Sequence, residues 1–368
     1  MKYIRMPIEL ESPEQLGYDT IRHNLSESSV ADRRLGELKP NLDDILLCYG
    51  DHQGSPDLRK AVAGLGGVSA EDVLITAGAS SALFVIATSL LKAGDHIVVI
   101  RPNYATNIET PRAIGCDISY IDLTFENGFR LDLAKVEAAI RPDTKYVSIT
   151  YPHNPSGVML SERELRAAID LVERKGCKLL FDETYREMTF GPMLPIAGTL
   201  SPEVISVSSL SKTYGIPGIR IGWLICRDAR LMQLFLAAKE QIGISGSVID
   251  EQVALLALRQ RDEWLRYNNQ RIRSAFAIVK RWIAQEEFVE WVEPEGGCVC
   301  FPRIRPALDV DLPLFYQRLY GVYATYVGAG RWFEIPDRHF RIGYAWPTET
   351  ELQAGLKHIS AAIRDARR

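Results

Sequence analysis

The chain of 368 residues is long enough for two domains of ordinary size or for one large α/β unit with a smaller companion, and a core of that size needs no disulfides or metals for stability. Its composition, 46% hydrophobic and 24% charged, is that of a soluble globular protein. The formal net charge of −4 gives no electrostatic reason to expect nucleic acid or an anionic membrane as a partner.

The amino-terminal stretch and the apolar runs predict a cytoplasmic protein. Residues 1–15 reach acidic side chains before any apolar core forms, which argues against a signal peptide. The longest apolar-dominated run, at 82–91, is too short to span a bilayer. The six cysteines lie in apolar contexts and lack zinc-site spacing, so we expect buried, reduced thiols and no metal site. They are Cys48, Cys116, Cys177, Cys226, Cys298 and Cys300.

Short β-branched runs alternate with helical stretches between residues 55 and 230. The predicted strands are 72–78, 95–100, 116–123, 145–150, 178–183, 204–209 and 220–226. Nearly continuous apolar strands separated by helices are typical of a mostly parallel sheet that is covered on both faces. The sequence therefore predicts an α/β fold.

Two of the intervening helices have clear limits in the sequence. One is predicted at 79–94, directly after the first strand. Another is predicted at 161–176, where Ser161 and Glu164 have the spacing of a capping box and Gly176 is a stop signal.

The pattern changes at about residue 247. A long helical region at 248–287 is followed by short strands at 289–293, 298–303 and 340–345, and a last helix at 349–366 ends the chain. We expect a smaller α+β domain at 247–368, which the amino-terminal segment 1–45 joins. The large domain then occupies residues 46–246.

Polar and aromatic residues follow the first two strands, at the edge where ligands bind in open α/β sheets. Gly78, Ala79 and Ser80 open a helix whose free N–H groups could bind a phosphate, although an ordinary turn has the same composition. Tyr104 follows the second strand and could stack on a flat ligand or pack in the core.

Two later strands end in the same way. Asn154, held by the proline after it, could donate its amide to an oxygen of a bound ring. Asp182 ends an apolar strand, where an unpaired carboxylate is costly, so it needs a donor or a cationic partner unless it caps a helix. Tyr185, three residues on, could face the same site.

The stretch SVSSLSKTYGIPGIRIGW at 206–223 places Lys212 at the end of a buried strand. An ammonium there is destabilising, but an amine can lose its proton or form an imine with an aldehyde. Arg220 is suited to phosphate, and Ser209 and Ser211 add hydroxyls. Arg341, in a later strand, could bind a carboxylate through a bidentate pair or be an ordinary edge-strand arginine.

Taken together, these motifs resemble those of the fold-type I pyridoxal-phosphate (PLP) enzymes, within the class I/II aminotransferases of the aspartate aminotransferase superfamily. The resemblance runs from residues 46–63 to Arg341. Its specific part is S-x-S-K-x(7)-R, with N-P-x-G upstream and D-x-x-Y between them. It implies PLP as the cofactor and a large domain with a seven-stranded type of sheet.

The resemblance also implies a role for each residue. Lys212 is expected to bind the cofactor aldehyde as an imine and to move the α-proton of the substrate, while Asp182 pairs with the ring nitrogen. Tyr104 is expected to stack on the ring, and Asn154 and Tyr185 to bond its phenolic oxygen. The residues expected to hold the phosphate are Gly78, Ala79, Ser80, Ser209, Ser211 and Arg220, with Tyr49 from a neighbouring subunit of a homodimer. Arg341 is expected to bind the substrate carboxylate, and Asn154 to contact the substrate as well.

The family leaves the reaction open. We expect transfer of an amino group from an L-amino acid to a 2-oxo acid, which fits the retained Lys212, Asn154 and Tyr185. The alternative is a lyase or cyclase acting on a β-substituted or guanidino, arginine-derived amino acid. A third class, a non-catalytic binding module, does not fit a chain that retains every catalytic position.

The amino-terminal segment 23–30 resembles the capreomycidine-synthase-like branch, because Ser26, Glu27 and Ser28 stand where many aminotransferases have a glycine-containing turn. Glu27 is a candidate contact for a guanidinium or ammonium group of the substrate, unless it is simply solvated. Ser26 is a second candidate, unless it caps a turn. Tyr185 departs from the pattern of this branch and argues against a simple transfer of cyclase activity.

Overall fold

The computed structural model describes residues 1–368 and contains twelve α-helices and fourteen β-strands. The helices are α1 (Pro7–Leu10), α2 (Pro13–Leu16), α3 (Pro56–Gly64), α4 (Gly78–Leu90), α5 (Ala105–Ile114), α6 (Leu133–Ala139), α7 (Glu162–Lys175), α8 (Ala229–Gly243), α9 (Val248–Arg259), α10 (Arg261–Gln285), α11 (Leu312–Gly321) and α12 (Glu349–Asp365). The strands are β1 (His23–Asn24), β2 (Val73–Thr76), β3 (His96–Arg101), β4 (Asp117–Asp122), β5 (Thr144–Thr150), β6 (Lys178–Asp182), β7 (Val204–Ser209), β8 (Gly222–Cys226), β9 (Val289–Glu290), β10 (Val299–Cys300), β11 (Arg303–Ile304), β12 (Thr325–Tyr326), β13 (Gly328–Ala329) and β14 (Phe340–Gly343).

The main sheet has seven strands in the order β2-β8-β7-β6-β5-β3-β4. Strand β8 runs antiparallel to both of its neighbours, and every other pair is parallel. Helices cover both faces: α4, α5 and α8 lie on one face, and α3, α7 and α9 on the other. The prediction of a mostly parallel sheet between helices is confirmed.

The predicted limits of α7 are also confirmed, and the helix begins with the expected capping box and ends at the expected glycine. The Ser161 hydroxyl accepts from the backbone N–H of Glu164 at 3.2 Å, and the Glu164 carboxylate accepts from the Ser161 N–H at 2.7 Å. Gly176 ends the helix with φ of 72°, a left-handed conformation that glycine adopts without steric cost.

The turn after β2 and the start of β8 pack backbone against backbone. A Cβ on Gly222 would lie 2.6 Å from the nitrogen of Ala79, so this position requires glycine. The close approach brings the amino terminus of α4 to the carboxyl edge of the sheet. The loop between β7 and β8, which carries Lys212, reaches the same edge.

The carboxyl-terminal elements form smaller sheets around a second core. Strands β10, β14 and β13 form one antiparallel sheet, β9 pairs with β11, and β1 pairs with β12 in parallel. The pairing of β1 packs part of the amino-terminal segment with these elements. The domain boundaries at residues 45 and 246 stay a prediction.

Two helix limits differ from the sequence prediction. The long helical region predicted at 248–287 consists of two helices, because Gln260 turns the chain with φ of −97° and ψ of 8°. After the turn, Arg261 binds Glu187 and Trp264 is buried, which fixes the new helix direction. Helix α4 ends at Leu90 rather than at residue 94. No helix in the structure combines the length and the apolar character needed to cross a bilayer.

Several strands are shorter than predicted. Strand β8 begins at Gly222 rather than at residue 220, because Arg220 adopts a left-handed φ of 48°. The strand predicted at 289–293 is reduced to β9, and the one at 298–303 is divided into β10 and β11. Local sequence patterns identified these segments as strands. They could not identify the partner strands, whose hydrogen bonds determine where each strand ends.

The cysteines are all free, but the prediction that they are buried holds for only some of them. Cys177, Cys226, Cys298 and Cys300 are buried, and burial raises the pKa of the Cys177 and Cys226 thiols to about 11. The prediction is wrong for Cys48, which is exposed, and for Cys116, which is partly exposed. Cys48 lies in an exposed segment next to other exposed apolar residues, so its apolar sequence context does not indicate burial.

Candidate active site

A cavity of about 640 Å³ opens at the carboxyl edge of the main sheet. Most of the predicted site residues line it: Glu27, Ala79, Ser80, Tyr104, Asn154, Asp182, Tyr185, Ser209, Ser211, Lys212 and Arg220. Four predicted residues do not line it. Gly78 and Arg341 lie directly behind lining residues, whereas the Ser26 hydroxyl and Tyr49 point elsewhere.

Lys212 lies in the loop after β7 and reaches the cavity. Burial lowers the pKa of its ammonium, Glu27 opposes this shift and Arg341 adds to it. The backbone carbonyl of Lys212 accepts from the N–H of Val30 at 3.2 Å, so the amino-terminal segment is attached to the lysine loop. The loop therefore presents an amine that loses its proton more readily than that of a free lysine.

One end of the cavity has the features of a phosphate site. The guanidinium of Arg220 packs so closely on Gly78 that a Cβ there would overlap it. Arg220 also donates to the Ser211 hydroxyl at 3.4 Å, and the Ser209 hydroxyl accepts from the N–H of Ser211 at 3.3 Å. A guanidinium, hydroxyls and the amino terminus of α4 together attract an anion.

Asp182 ends β6 beneath the middle of the cavity. It is buried and takes part in no ion pair. The Thr184 backbone N–H and hydroxyl donate to its carboxylate at 3.2 and 2.7 Å. Burial raises the pKa of Asp182, whereas the bonds from Thr184 lower it. Sequence reasoning missed Thr184, although the D-x-T spacing of an Asx turn signals it.

The opposite end of the cavity is built around Arg341 on β14. Its guanidinium is buried and donates to the Asn154 side-chain oxygen at 3.0 Å and to the Ser26 carbonyl at 2.6 Å. Its Nε is buried without a hydrogen-bond partner, and Arg341 forms no ion pair. A buried cation with a free donor is suited to a ligand carboxylate.

Tyr104 and Tyr185 flank the middle of the cavity. Tyr104 precedes α5 as its N-cap residue, and Tyr185 is buried three residues beyond Asp182. Burial raises the pKa of both phenols, so both stay protonated and can donate a hydrogen bond.

The cavity mouth is acidic, which sequence reasoning anticipated only at Glu27. Tyr18 donates to the Glu27 carboxylate at 3.1 Å, and Glu14 and Asp32 line the same mouth. Burial and the Glu27 carboxylate both raise the pKa of the Tyr18 phenol. These side chains come from separate turns with no shared motif, so no local signal could have grouped them.

An aromatic pair supports the same mouth. The Tyr18 and Trp346 rings stack with centroids 6.1 Å apart and an interplanar angle of 17°. The Trp346 indole N–H donates to the Asp32 carboxylate at 3.0 Å. This stack and hydrogen bond connect the acidic segment to the chain just beyond β14.

The segment 26–31, here called the strap, crosses the mouth between two glycines. A Cβ on Gly343 would overlap the carbonyl of Glu27, and one on Gly215 would lie 2.5 Å from the carbonyl of Ala31. The Ser26 hydroxyl donates to Asn24 at 2.8 Å, so Ser26 meets Arg341 through its carbonyl and not its side chain.

Tyr49 is 82% exposed and lies outside the cavity. Within one chain it makes no contribution to the site, which is what a residue serving a neighbouring subunit requires.

The residues present fit PLP. The buried, unpaired carboxylate of Asp182 is suited to a protonated ring nitrogen, and the anion site at Arg220 to a phosphate. Lys212 lies in the same cavity with a lowered amine pKa, as binding an aldehyde requires.

Comparisons with known proteins agree with this geometry. A sequence model described as aminotransferase class I and II matches residues 37–359. The chain is 31% identical to capreomycidine synthase of Streptomyces vinaceus over 94% of the chain and 91% of that protein. It is 28% identical to arginine–pyruvate transaminase AruH of Pseudomonas aeruginosa over 83% of the chain and 80% of that protein. The crystal structure of a PLP-dependent aminotransferase from Streptococcus suis superposes with a TM-score of 0.91 at 29% identity, covering 100% of both chains.

Proposed function

Because the chain belongs to the class I and II aminotransferase family and is a PLP-dependent enzyme, we propose that it moves an amino group from an L-amino acid to a 2-oxo acid. The observation that carries the proposal is one cavity lined by Lys212 and by the anion site at Arg220, with the free donor of Arg341 directly behind the lining residue Asn154. When bound, PLP supplies an electron-withdrawing ring that stabilises the charge left by a lost α-proton.

The chain's own side chains divide the remaining work. Arg341 binds the substrate carboxylate and orients the α-carbon toward Lys212, whose amine, with its lowered pKa, accepts the α-proton and returns it. With PLP bound, Asp182 would keep the ring nitrogen protonated, and Tyr185 and Asn154 would form hydrogen bonds to the phenolic oxygen. Tyr104 would stack on the ring.

The phosphate of the cofactor is held by a group of backbone and side-chain donors at the other end of the cavity. These are Gly78, Ala79, Ser80, Ser209, Ser211 and Arg220.

We propose further that the amino donor is basic. Glu14, Glu27 and Asp32 place carboxylates at the mouth, where the side chain of a bound amino acid would end. Of the two arginines there, Arg33 is paired with Glu37 at 2.8 Å and Arg34 forms no ion pair. Three carboxylates against one unpaired guanidinium leave the mouth net acidic, so it favours a guanidinium or ammonium over an acidic side chain. Similarity to an arginine–pyruvate transaminase supports this assignment.

The second candidate is a lyase or cyclase that acts on a β-substituted or guanidino amino acid. Similarity to capreomycidine synthase and the same acidic mouth favour it. Transamination needs a 2-oxo acid in every cycle, whereas a lyase or cyclase turns over without one. The need for an acceptor therefore separates the two candidates.

We also propose a homodimer in which Tyr49 reaches the cofactor phosphate of the partner. Exposed apolar side chains precede Tyr49 in the chain, and others lie around the junction of α8 and α9: Leu46, Leu47, Ile242, Ile244 and Ile249. Exposed apolar side chains in such number are typical of a protein interface. Sedimentation equilibrium of the holoenzyme measures the association directly.

The decisive experiment is a single-turnover assay with L-arginine and the PLP-loaded enzyme in the absence of an acceptor. We expect one equivalent of 2-oxo acid per active site and no more until pyruvate is added. Lys212→Ala is the matched control and should release none. Repeated turnover without pyruvate would overturn the aminotransferase proposal in favour of the second candidate.

A further inference from the structure

Two buried charged side chains lie below the segment that follows Tyr49. Lys239 on α8 and Glu251 on α9 are only 6% and 5% exposed. Neither forms an ion pair, although burial of an unpaired charge is costly. Burial lowers the pKa of Lys239 and raises that of Glu251, and the attraction between these two opposite charges offsets part of each pKa shift.

Both side chains use their hydrogen bonds on the backbone of one short segment. Lys239 donates to the carbonyl of His52, and the carboxylate of Glu251 accepts from the N–H of Ser55 at 2.6 Å. The segment 52–55 is therefore held from below at both of its ends.

The same segment is fixed on its other side by β2. The N–H of Ile75 donates to the carbonyl of Gln53 at 3.0 Å, and the Gln53 side-chain amide donates to the carbonyl of Val73 at 3.0 Å. Gly54 has φ of 111°, and a Cβ there would lie 2.5 Å from the Cβ of Ile75. The backbone of residues 52–55, which begins three residues beyond Tyr49, is thus held on both sides.

We propose that Lys239 and Glu251 are positioning residues that hold Tyr49 in the orientation from which it reaches the partner's cofactor phosphate. The inference rests on the homodimer proposed above. It explains why two buried charged side chains bind the backbone of segment 52–55, although Tyr49, which precedes this segment, is 82% exposed. Their effect on cofactor affinity passes through Tyr49 alone.

The test is a double-mutant cycle read out as the PLP dissociation constant, with sedimentation equilibrium and thermal melting in parallel. Tyr49→Phe should weaken PLP binding about tenfold by removing a charge-assisted hydrogen bond. Lys239→Met should weaken it by up to the same factor with the dimer intact. In the Tyr49→Phe background, Lys239→Met should change the constant by less than about twofold.

Two variants of Glu251 provide a second route if Lys239→Met fails to fold. Glu251→Gln keeps an oxygen acceptor for Ser55 and should retain the PLP affinity, whereas Glu251→Leu should lose it. The matched control is Lys60→Met on α3, an exposed lysine whose loss should change nothing.

The outcomes are distinct. Additive effects of Lys239→Met and Tyr49→Phe, a dissociated Lys239→Met dimer, or unchanged PLP affinity in both Lys239→Met and Glu251→Leu would overturn the positioning role. Unchanged affinity in Tyr49→Phe alone would overturn the proposed Tyr49 contact. Neither result touches the single-turnover assay for transamination, which is measured on the unmodified enzyme.

Discussion

Gly343→Ala tests how tightly the strap is packed against β14. A Cβ at residue 343 would overlap the carbonyl of Glu27 and would lie 2.7 Å from its carbonyl carbon, whereas real Cβ contacts stay beyond 3.0 Å. The strand and the strap must therefore separate. The backbone bond from the Gly343 N–H to the Leu25 carbonyl, 2.7 Å long, would lengthen or break.

The size of the effect follows from these two contacts. Overpacking in a well-packed region costs about 1–3 kcal/mol, and a lost backbone hydrogen bond about 1 kcal/mol. We expect Gly343→Ala to lower the free energy of unfolding by about 2–4 kcal/mol. Because Arg341 bonds the strap at Ser26, the variant should also weaken binding of the amino donor.

Urea denaturation of the PLP-free enzyme measures the stability change, and Gly321→Ala is the matched control. Gly321 is the last residue of α11 and has open space where a Cβ would lie. Its replacement should leave stability unchanged or raise it by up to about 1 kcal/mol. Equal stability of Gly343→Ala and the wild type would refute the packing argument.

Three further predictions concern charge. Arg341→Lys should lower kcat/KM for the amino donor by about 100-fold through loss of a bidentate grip, and an unchanged KM would contradict that role. Glu27→Gln should reduce the preference for L-arginine over L-norleucine about tenfold in competing single-turnover assays, whereas the control Glu37→Gln should keep it. Burial lowers the pKa of His153 to about 4, so its neutral form stabilises the fold fully above about pH 6.5 and this contribution is lost as pH falls toward 4. Denaturant titrations at several pH values measure how steeply the free energy of unfolding falls as pH decreases from 6.5 toward 4. His153→Gln should reduce this slope by up to the equivalent of one bound proton, and an unaltered slope would refute the assignment.

The sheet and the cofactor end of the site could be predicted from the sequence because their signals are local. Asp182 and Lys212 each stand at the end of an apolar run, and parallel strands bring such ends to one edge. The position of β8 between β2 and β7 could not be predicted, since strand order depends on long-range pairing.

The substrate end was harder to predict for the same reason. The hydrogen bond between Trp346 and Asp32 joins residues 314 apart in the chain, and neither has a motif around it. Ser26 was identified as a candidate, but the sequence could not tell that its carbonyl rather than its hydroxyl faces Arg341. Glu27 was identified through a family resemblance, whereas its neighbours at the mouth were not identified from the sequence.

The acidic mouth is drawn almost wholly from residues 14–32, whereas the cofactor is held by the ends of the main sheet. Substitutions within one short segment can therefore change the substrate preference and leave the catalytic residues unchanged. The two glycines that seat the strap, Gly215 and Gly343, set the backbone path that any such replacement must follow. Replacing residues 14–32 with those of a relative would then transfer the substrate preference of that relative, while the cofactor-binding part of the site stays the same.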